Sequence, residues 1–106
     1  MEWEFIVVLV TTPALDEAHK LAQALLERKF AACVSIVPGI SSSFWWQNEI
    51  DHTSENLLII KTVYSLFERV VECIKQIHSY TVPEIIALPV VGGDPEYLKW
   101  MNESLK

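Results

Sequence analysis

Between Ala31 and Tyr64 the chain consists of two extended arms joined only by a turn-forming Gln47-Asn48-Glu49. Ala31 to Val37 reads as one strand, and extension resumes after Ser41-Ser42-Ser43 through Phe44-Trp45-Trp46. Ile50 to Tyr64 returns as the next strand, strongest at Leu57-Leu58-Ile59-Ile60. Each arm runs roughly 14–16 residues, or about 50 Å at ~3.3 Å per residue, whereas common strands hold about 5–6. A domain of 106 residues has a radius of gyration near ~13 Å. Such a hairpin must therefore kink or project. Pro38-Gly39 supplies a kink, because proline gives up a ladder donor and glycine tolerates unusual dihedrals. The Phe44-Trp45-Trp46 run near the tip needs an apolar surface to land on. A second copy of the chain is the natural one, since bare edges and tryptophans otherwise invite aggregation.

The flanking segments alternate in type. Phe5 to Val10 is a continuous β-branched run ended by Thr11-Thr12-Pro13, which predicts a central strand buried on both faces. A helix is expected from Asp16 to Lys29, with Ala18, Leu21, Ala22, Leu25 and Lys29 at helical spacing. Ser65-Leu66-Phe67-Glu68 fits a capping box. The helix it would open carries Phe67, Val70, Val71, Ile74 and Ile77 on one stripe and ends at His78-Ser79-Tyr80. Glu84 to Val91 is the fourth strand, and Asp94-Pro95 offers an N-cap and first-turn proline for a last helix bearing Leu98, Met101 and Leu105. The order β-α-β-β-α-β plus a terminal helix is an α+β, ferredoxin-like split βαβ pattern. Residues 1–106 form one domain, with no repeats or low-complexity linkers.

Charge and composition exclude several function classes. The net charge of −6 argues against nucleic acid, whose phosphates require a positive surface. No apolar run approaches the ~18–20 residues of a membrane span, so no membrane is expected as partner. Met1-Glu2-Trp3-Glu4 is acidic and lacks the basic region of a signal peptide, which predicts a cytoplasmic protein. A hydrophobic fraction of 51% with four Trp exceeds what so small a domain buries alone, and points again to an oligomer interface. Cys33 and Cys73 show no CxxC pattern and read as reduced, semi-buried residues.

The polar segment His78 to Glu84, between an apolar helix and an apolar strand, holds the candidate site. His78 sits at a helix C-terminus, where the dipole favours a cation. With Glu84 it offers an imidazole and a carboxylate to a divalent ion such as copper or zinc. Equally, it can cap the last helical carbonyls while Glu84 bonds an amide. Lys61 ends the apolar run of the third strand, where it can bind an anion, pair with Glu84 or stand in solvent. Trp46 can line a ligand cleft or pack at an interface. Tyr80 joins an apolar ring to a polar tip, a combination suited to contact zones. The expected ligand cleft is therefore Lys61, Tyr80, Glu84 and Trp46, with His78 as the metal candidate. Nothing apolar around Cys33 activates it as a nucleophile. No Ser-His-Asp, paired-carboxylate or Walker pattern appears, so no enzymatic activity is expected. Gly92-Gly93 lacks the spaced glycines of a nucleotide fingerprint.

Four segments, taken in order, resemble the CutA family, named for divalent-cation tolerance. They are Thr11-Thr12-Pro13, Ala31-Ala32-Cys33-Val34-Ser35-Ile36-Val37-Pro38-Gly39, Leu58-Ile59-Ile60-Lys61-Thr62, and His78 to Trp100. The resemblance implies a ferredoxin-like homotrimer joined through sheet edges and similar to PII-type signalling proteins. It also implies a role in copper or divalent-ion tolerance, with a cation or small ligand at inter-subunit clefts. Copper ligands proposed in some members are a cysteine ending the first strand and two consecutive histidines. The matching positions here are Val10, Ile77 and His78, so any copper or zinc is expected to bind weakly, and no cofactor is required. Where the family's loop usually has His-Pro-Tyr, Ser79 replaces the proline. The alternative is a trimeric interaction scaffold or PII-like signalling protein whose metal binding is incidental.

Overall fold

The computed structural model describes residues 4–106; Met1 to Trp3, most of the acidic start, lie outside it. The elements follow the order β1 (Phe5–Thr12), α1 (Leu15–Glu27), β2 (Cys33–Trp46), β3 (Glu49–Val63), a 3-10 turn (Tyr64–Leu66), α2 (Phe67–Ile77), β4 (Ile85–Pro89) and α3 (Pro95–Ser104). The four strands form one antiparallel sheet in the order β2-β3-β1-β4. This is the expected α+β, ferredoxin-like arrangement with a terminal helix.

The strand pattern explains which face carries the core. Ile6, Val8 and Val10 of β1, with Leu58 and Ile60 of β3, are buried. They pack against Ala18, Leu21 and Leu25 of α1 and Val70, Cys73 and Ile74 of α2. β1 is central, as expected, but burial on both faces is not observed. Its alternate residues Val7 and Leu9 are only half-buried, and across from them Ile86 and Leu88 of β4 are exposed. One sheet face carries helices α1 and α2, and the opposite face keeps apolar side chains accessible.

The hairpin of β2 and β3 projects. The molecule measures 44 × 26 × 23 Å, with a radius of gyration of 14.4 Å, above the ~13 Å of a rounder domain this long. A bulge between Val37 and Ile40 adds one residue to β2, as the Pro38-Gly39 pair requires. Gly39 takes φ +68 there, a left-handed backbone that side chains resist. Asn56 ties the bulge down, accepting from the Gly39 amide at 3.4 Å and donating to the Thr12 carbonyl at 3.4 Å. At the tip, Trp46 pairs with Glu49. Gln47 and Asn48 both have positive φ, as a two-residue type I′ turn demands.

Helix boundaries depart from the expectation in three places. α1 stops at Glu27 rather than Lys29, because Lys29 turns left-handed at φ 61. Its amide and that of Phe30 bond back to the Leu26 and Leu25 carbonyls, the pairing of a Schellman stop. The Ser65–Glu68 capping box does not form. Ser65 falls inside the 3-10 turn, and α2 opens at Leu66 with no side-chain cap. The regular fourth strand, Ile85–Pro89, is shorter than Glu84 to Val91, although the Val90 amide still donates to the Phe5 carbonyl at 3.0 Å. The α3 start is as expected, with the Asp94 carboxylate accepting from the Tyr97 amide at 3.2 Å.

Candidate functional site

The C-terminal end of α2 and the loop after it are fastened to three neighbouring elements. His78 is buried beneath that loop. Its Nε2 lies 2.6 Å from the Thr11 carbonyl oxygen, which only accepts, so Nε2 carries the proton and donates. Nδ1 then accepts the Tyr80 amide at 3.0 Å. Both ring nitrogens are therefore committed, and ligation of a metal by His78 requires breaking one of these bonds. Glu17, in the first turn of α1, stands 3.5 Å from Nδ1 and accepts from the Ser79 amide at 3.3 Å. The other two positions of the copper scheme, Val10 and Ile77, are apolar, and Val10 is a core residue. His78 thus serves the fold directly, bonding strand β1 to the loop.

Tyr80 leans on this anchor. Its ring lies 4.9 Å from the His78 ring, tilted by 43°. Its hydroxyl donates to Glu55 Oε2 at 2.9 Å. Burial pushes the phenol up to about 12, and the hydrogen bond and charge of Glu55 act in the same direction, because each disfavours a second anion there. Glu55 is only 7% exposed. It comes from β3 just beyond the bulge, opposite Ile40.

Between the loop and the hairpin runs an open groove of ≈ 970 Å³. Trp46, Tyr80 and Glu84 all line it, together with Phe44, Asp51 and Glu55. Both walls belong to one chain, so the groove exists before any assembly. Lys61 is elsewhere. Its Nζ lies 5.7 Å from the centre of the Tyr97 ring on α3, and among the described residues no salt bridge joins it to Glu84. Of the three roles left open for Lys61, pairing with Glu84 is not observed; the side chain makes a cation–π contact outside the groove instead. Trp46 is 61% exposed and Trp45 is 72% exposed, so neither packs within its own chain.

Glu55 and Glu17 are the residues that sequence reasoning missed. An acidic residue inside a polar stretch such as His52-Thr53-Ser54-Glu55-Asn56 carries no local signature of burial. Only the fold brings Tyr80 to it across 25 residues. Cys73 is a core residue whose thiol is pushed up by burial against the opposing influence of Arg28. It and Cys33 are free thiols.

Comparison with known proteins agrees with this geometry. The family model described as CutA1 divalent ion tolerance protein matches residues 6–104. The divalent-cation tolerance protein CutA of Thermus thermophilus is 47% identical over 98 residues, covering 92% of this chain and 95% of that protein. The chloroplastic Protein CutA 1 of rice, Oryza sativa, is 46% identical over 101 residues, and this chain spans just 57% of its length. The structure of the protein described as periplasmic divalent cation tolerance protein CutA from Archaeoglobus fulgidus superposes with a TM-score of 0.93 at 41% identity, covering 96% of this chain and 99% of that one. With an arrangement of strands, hairpin and helices that matches, and a family model spanning nearly its full length, the chain belongs to the CutA1 divalent ion tolerance family.

Proposed function

We propose that this chain is a non-enzymatic, homotrimeric binding protein of the cytoplasm that acts in divalent-cation tolerance. Copper or zinc is held weakly, and a cation or small ligand occupies the clefts beside the hairpins. The observation that carries the trimer is the band of accessible apolar residues at the hairpin tip and on the open sheet face. Trp45 and Ile50, paired on the hairpin face turned away from the groove, are 72% and 59% exposed, and Ile86 and Leu88 are 49% and 47% exposed. Apolar surface of this extent marks an interaction site. Both outer strands, β2 and β4, also present free edges to a neighbour. The weakness of metal binding follows from His78, whose two nitrogens already serve Thr11 and Tyr80.

Light scattering at micromolar protein tests the assembly. The expected mass is about three times the 12.1 kDa of one chain, falling when residues 44–49 of the hairpin tip are removed. A monomer or dimer of the intact chain refutes the proposal. Calorimetric titration with copper, zinc and nucleotides then separates a ligand-binding trimer from a pure scaffold, which shows no saturable heat. Cell fractionation tests the compartment, for which the Archaeoglobus relative is described as periplasmic.

A further inference from the structure

The groove beside Tyr80 combines two chemistries, of which a divalent ion uses only one. Three aromatic rings line it, from Phe44, Trp46 and Tyr80, and so do three carboxylates, from Asp51, Glu55 and Glu84. No lysine or arginine is among the lining residues, and the one histidine there, His52, has its Nδ1 2.8 Å from the Ser43 hydroxyl. Lys61, the cation expected at this cleft, stands over Tyr97 instead.

Glu55 makes the shortage of positive charge acute. Its side chain accepts one hydrogen bond, from the Tyr80 hydroxyl, and among the described residues it forms no salt bridge. At 7% exposure it has lost most of its hydration. A carboxylate so placed is stabilised strongly by any cation that reaches it. A hard divalent ion satisfies carboxylates but gains nothing from apolar ring faces. A phosphorylated ligand is repelled by all three acidic groups. The occupant that uses both sets of groups is an organic cation, because ring faces attract ammonium groups and also cover an apolar body. The ≈ 970 Å³ volume lies at the upper end of the ~300–1,000 Å³ range of small-molecule sites.

We infer that the groove between the hairpin and the 78–84 loop binds a primary organic ammonium ion with an apolar body, the ammonium meeting Glu55 and Glu84 and the body lying against Trp46 and Phe44. This assigns a ligand class to the cleft of the functional proposal above and rests on that reading only for the site's use.

The test titrates the full chain with phenethylammonium chloride, using the uncharged N-acetylphenethylamine as control, and follows amide and indole signals by NMR. Saturable shifts are expected at the Tyr80 and Glu55 amides and the Trp46 indole with the ammonium, and none with the amide. Glu55→Gln, which keeps an acceptor for the Tyr80 hydroxyl, should weaken binding about tenfold through loss of the charge-assisted contact. Should that variant misfold, Glu84→Gln at the exposed loop end reads the same charge dependence. Equal binding of the uncharged control, shifts that map elsewhere, or undiminished affinity in the folded Gln variant overturns the inference. Light scattering and a zinc titration on the same samples keep the two proposals apart. A trimer that responds to zinc but ignores the ammonium sinks the ligand class alone. A monomer that binds the ammonium sinks the trimeric reading alone, since both groove walls lie in one chain.

Discussion

The Tyr80 hydroxyl donates to the carboxylate of Glu55 at 2.9 Å, across 25 residues of sequence. That bond joins the 78–84 loop to the hairpin arm and closes one end of the groove. It also places a phenol beside a buried negative charge, which holds the phenol in its protonated form.

Tyr80→Phe removes the donor and leaves Glu55 buried with no hydrogen bond from the loop. Hydrogen bonds to charged groups contribute about 1.5–3 kcal/mol, and the low end applies because Tyr80 is 36% exposed. Urea unfolding should show a loss of about 1.5 kcal/mol at neutral pH. A change within ~0.3 kcal/mol would mean that the bond is replaced by water at no cost.

The same pair makes stability fall at alkaline pH. Tyr80 titrates near ~10 when unfolded and near about 12 when folded. Below the unfolded value both states hold the proton, and the full contribution is present. Between about 10 and 12 the unfolded chain has released its proton while the folded chain keeps it, so rising pH favours unfolding. The urea midpoint should drop across that window more steeply in the wild type than in Tyr80→Phe. Tyrosinate absorbance should show one of the three tyrosines ionising late, and that late step should vanish in Tyr80→Phe.

His78→Ala should cost about 2–3 kcal/mol, because it orphans the Thr11 carbonyl and the Tyr80 amide and opens a cavity. Copper affinity, by contrast, should be micromolar or weaker in both proteins and nearly unchanged by the substitution. Nanomolar copper binding lost in His78→Ala would show that the ring releases one of its bonds to the metal.

Asp94→Ala removes the acceptor of the Tyr97 amide at the start of α3. Loss of an N-cap costs about 1 kcal/mol. Because Met101 of that helix is buried against the remainder of the fold, amide exchange in residues 95–104 should accelerate first. Unaltered exchange there would place the stability of α3 wholly in its packing.

Local chemistry made much of the architecture readable in the sequence. The strand runs, the two amphipathic helices, the Pro38-Gly39 kink, the Gln47-Asn48 turn and the Asp94-Pro95 helix start each depend on neighbours within a few residues, and the structure shows each of them. The resemblance to the CutA family was legible for the same reason, being carried by contiguous segments. Where two local signals competed, tertiary context chose between them. Where the Ser65 capping box was expected there is a 3-10 turn, and the Tyr64 amide at its start bonds to the Glu4 carbonyl at 2.7 Å, extending the β1–β3 pairing past Phe5 and Val63. Likewise β1 is central yet unevenly buried: α1 and α2 pack on one of its faces, while on the other α3 reaches Lys61 of β3 and leaves Val7 and Leu9 half-buried. The candidate site was legible only as a list of residue types. Trp46, Tyr80 and Glu84 do line one groove, but Lys61 points to Tyr97, His78 spends both nitrogens on the backbone, and Glu55 replaces Lys61 beside Tyr80. Sequence by itself determined which segments extend, coil and turn, because backbone preference and hydrophobic period act over a few residues. Only the tertiary structure decided which polar side chains meet, because those bonds span 25 to 67 residues and depend on the sheet setting the bulged hairpin beside the loop.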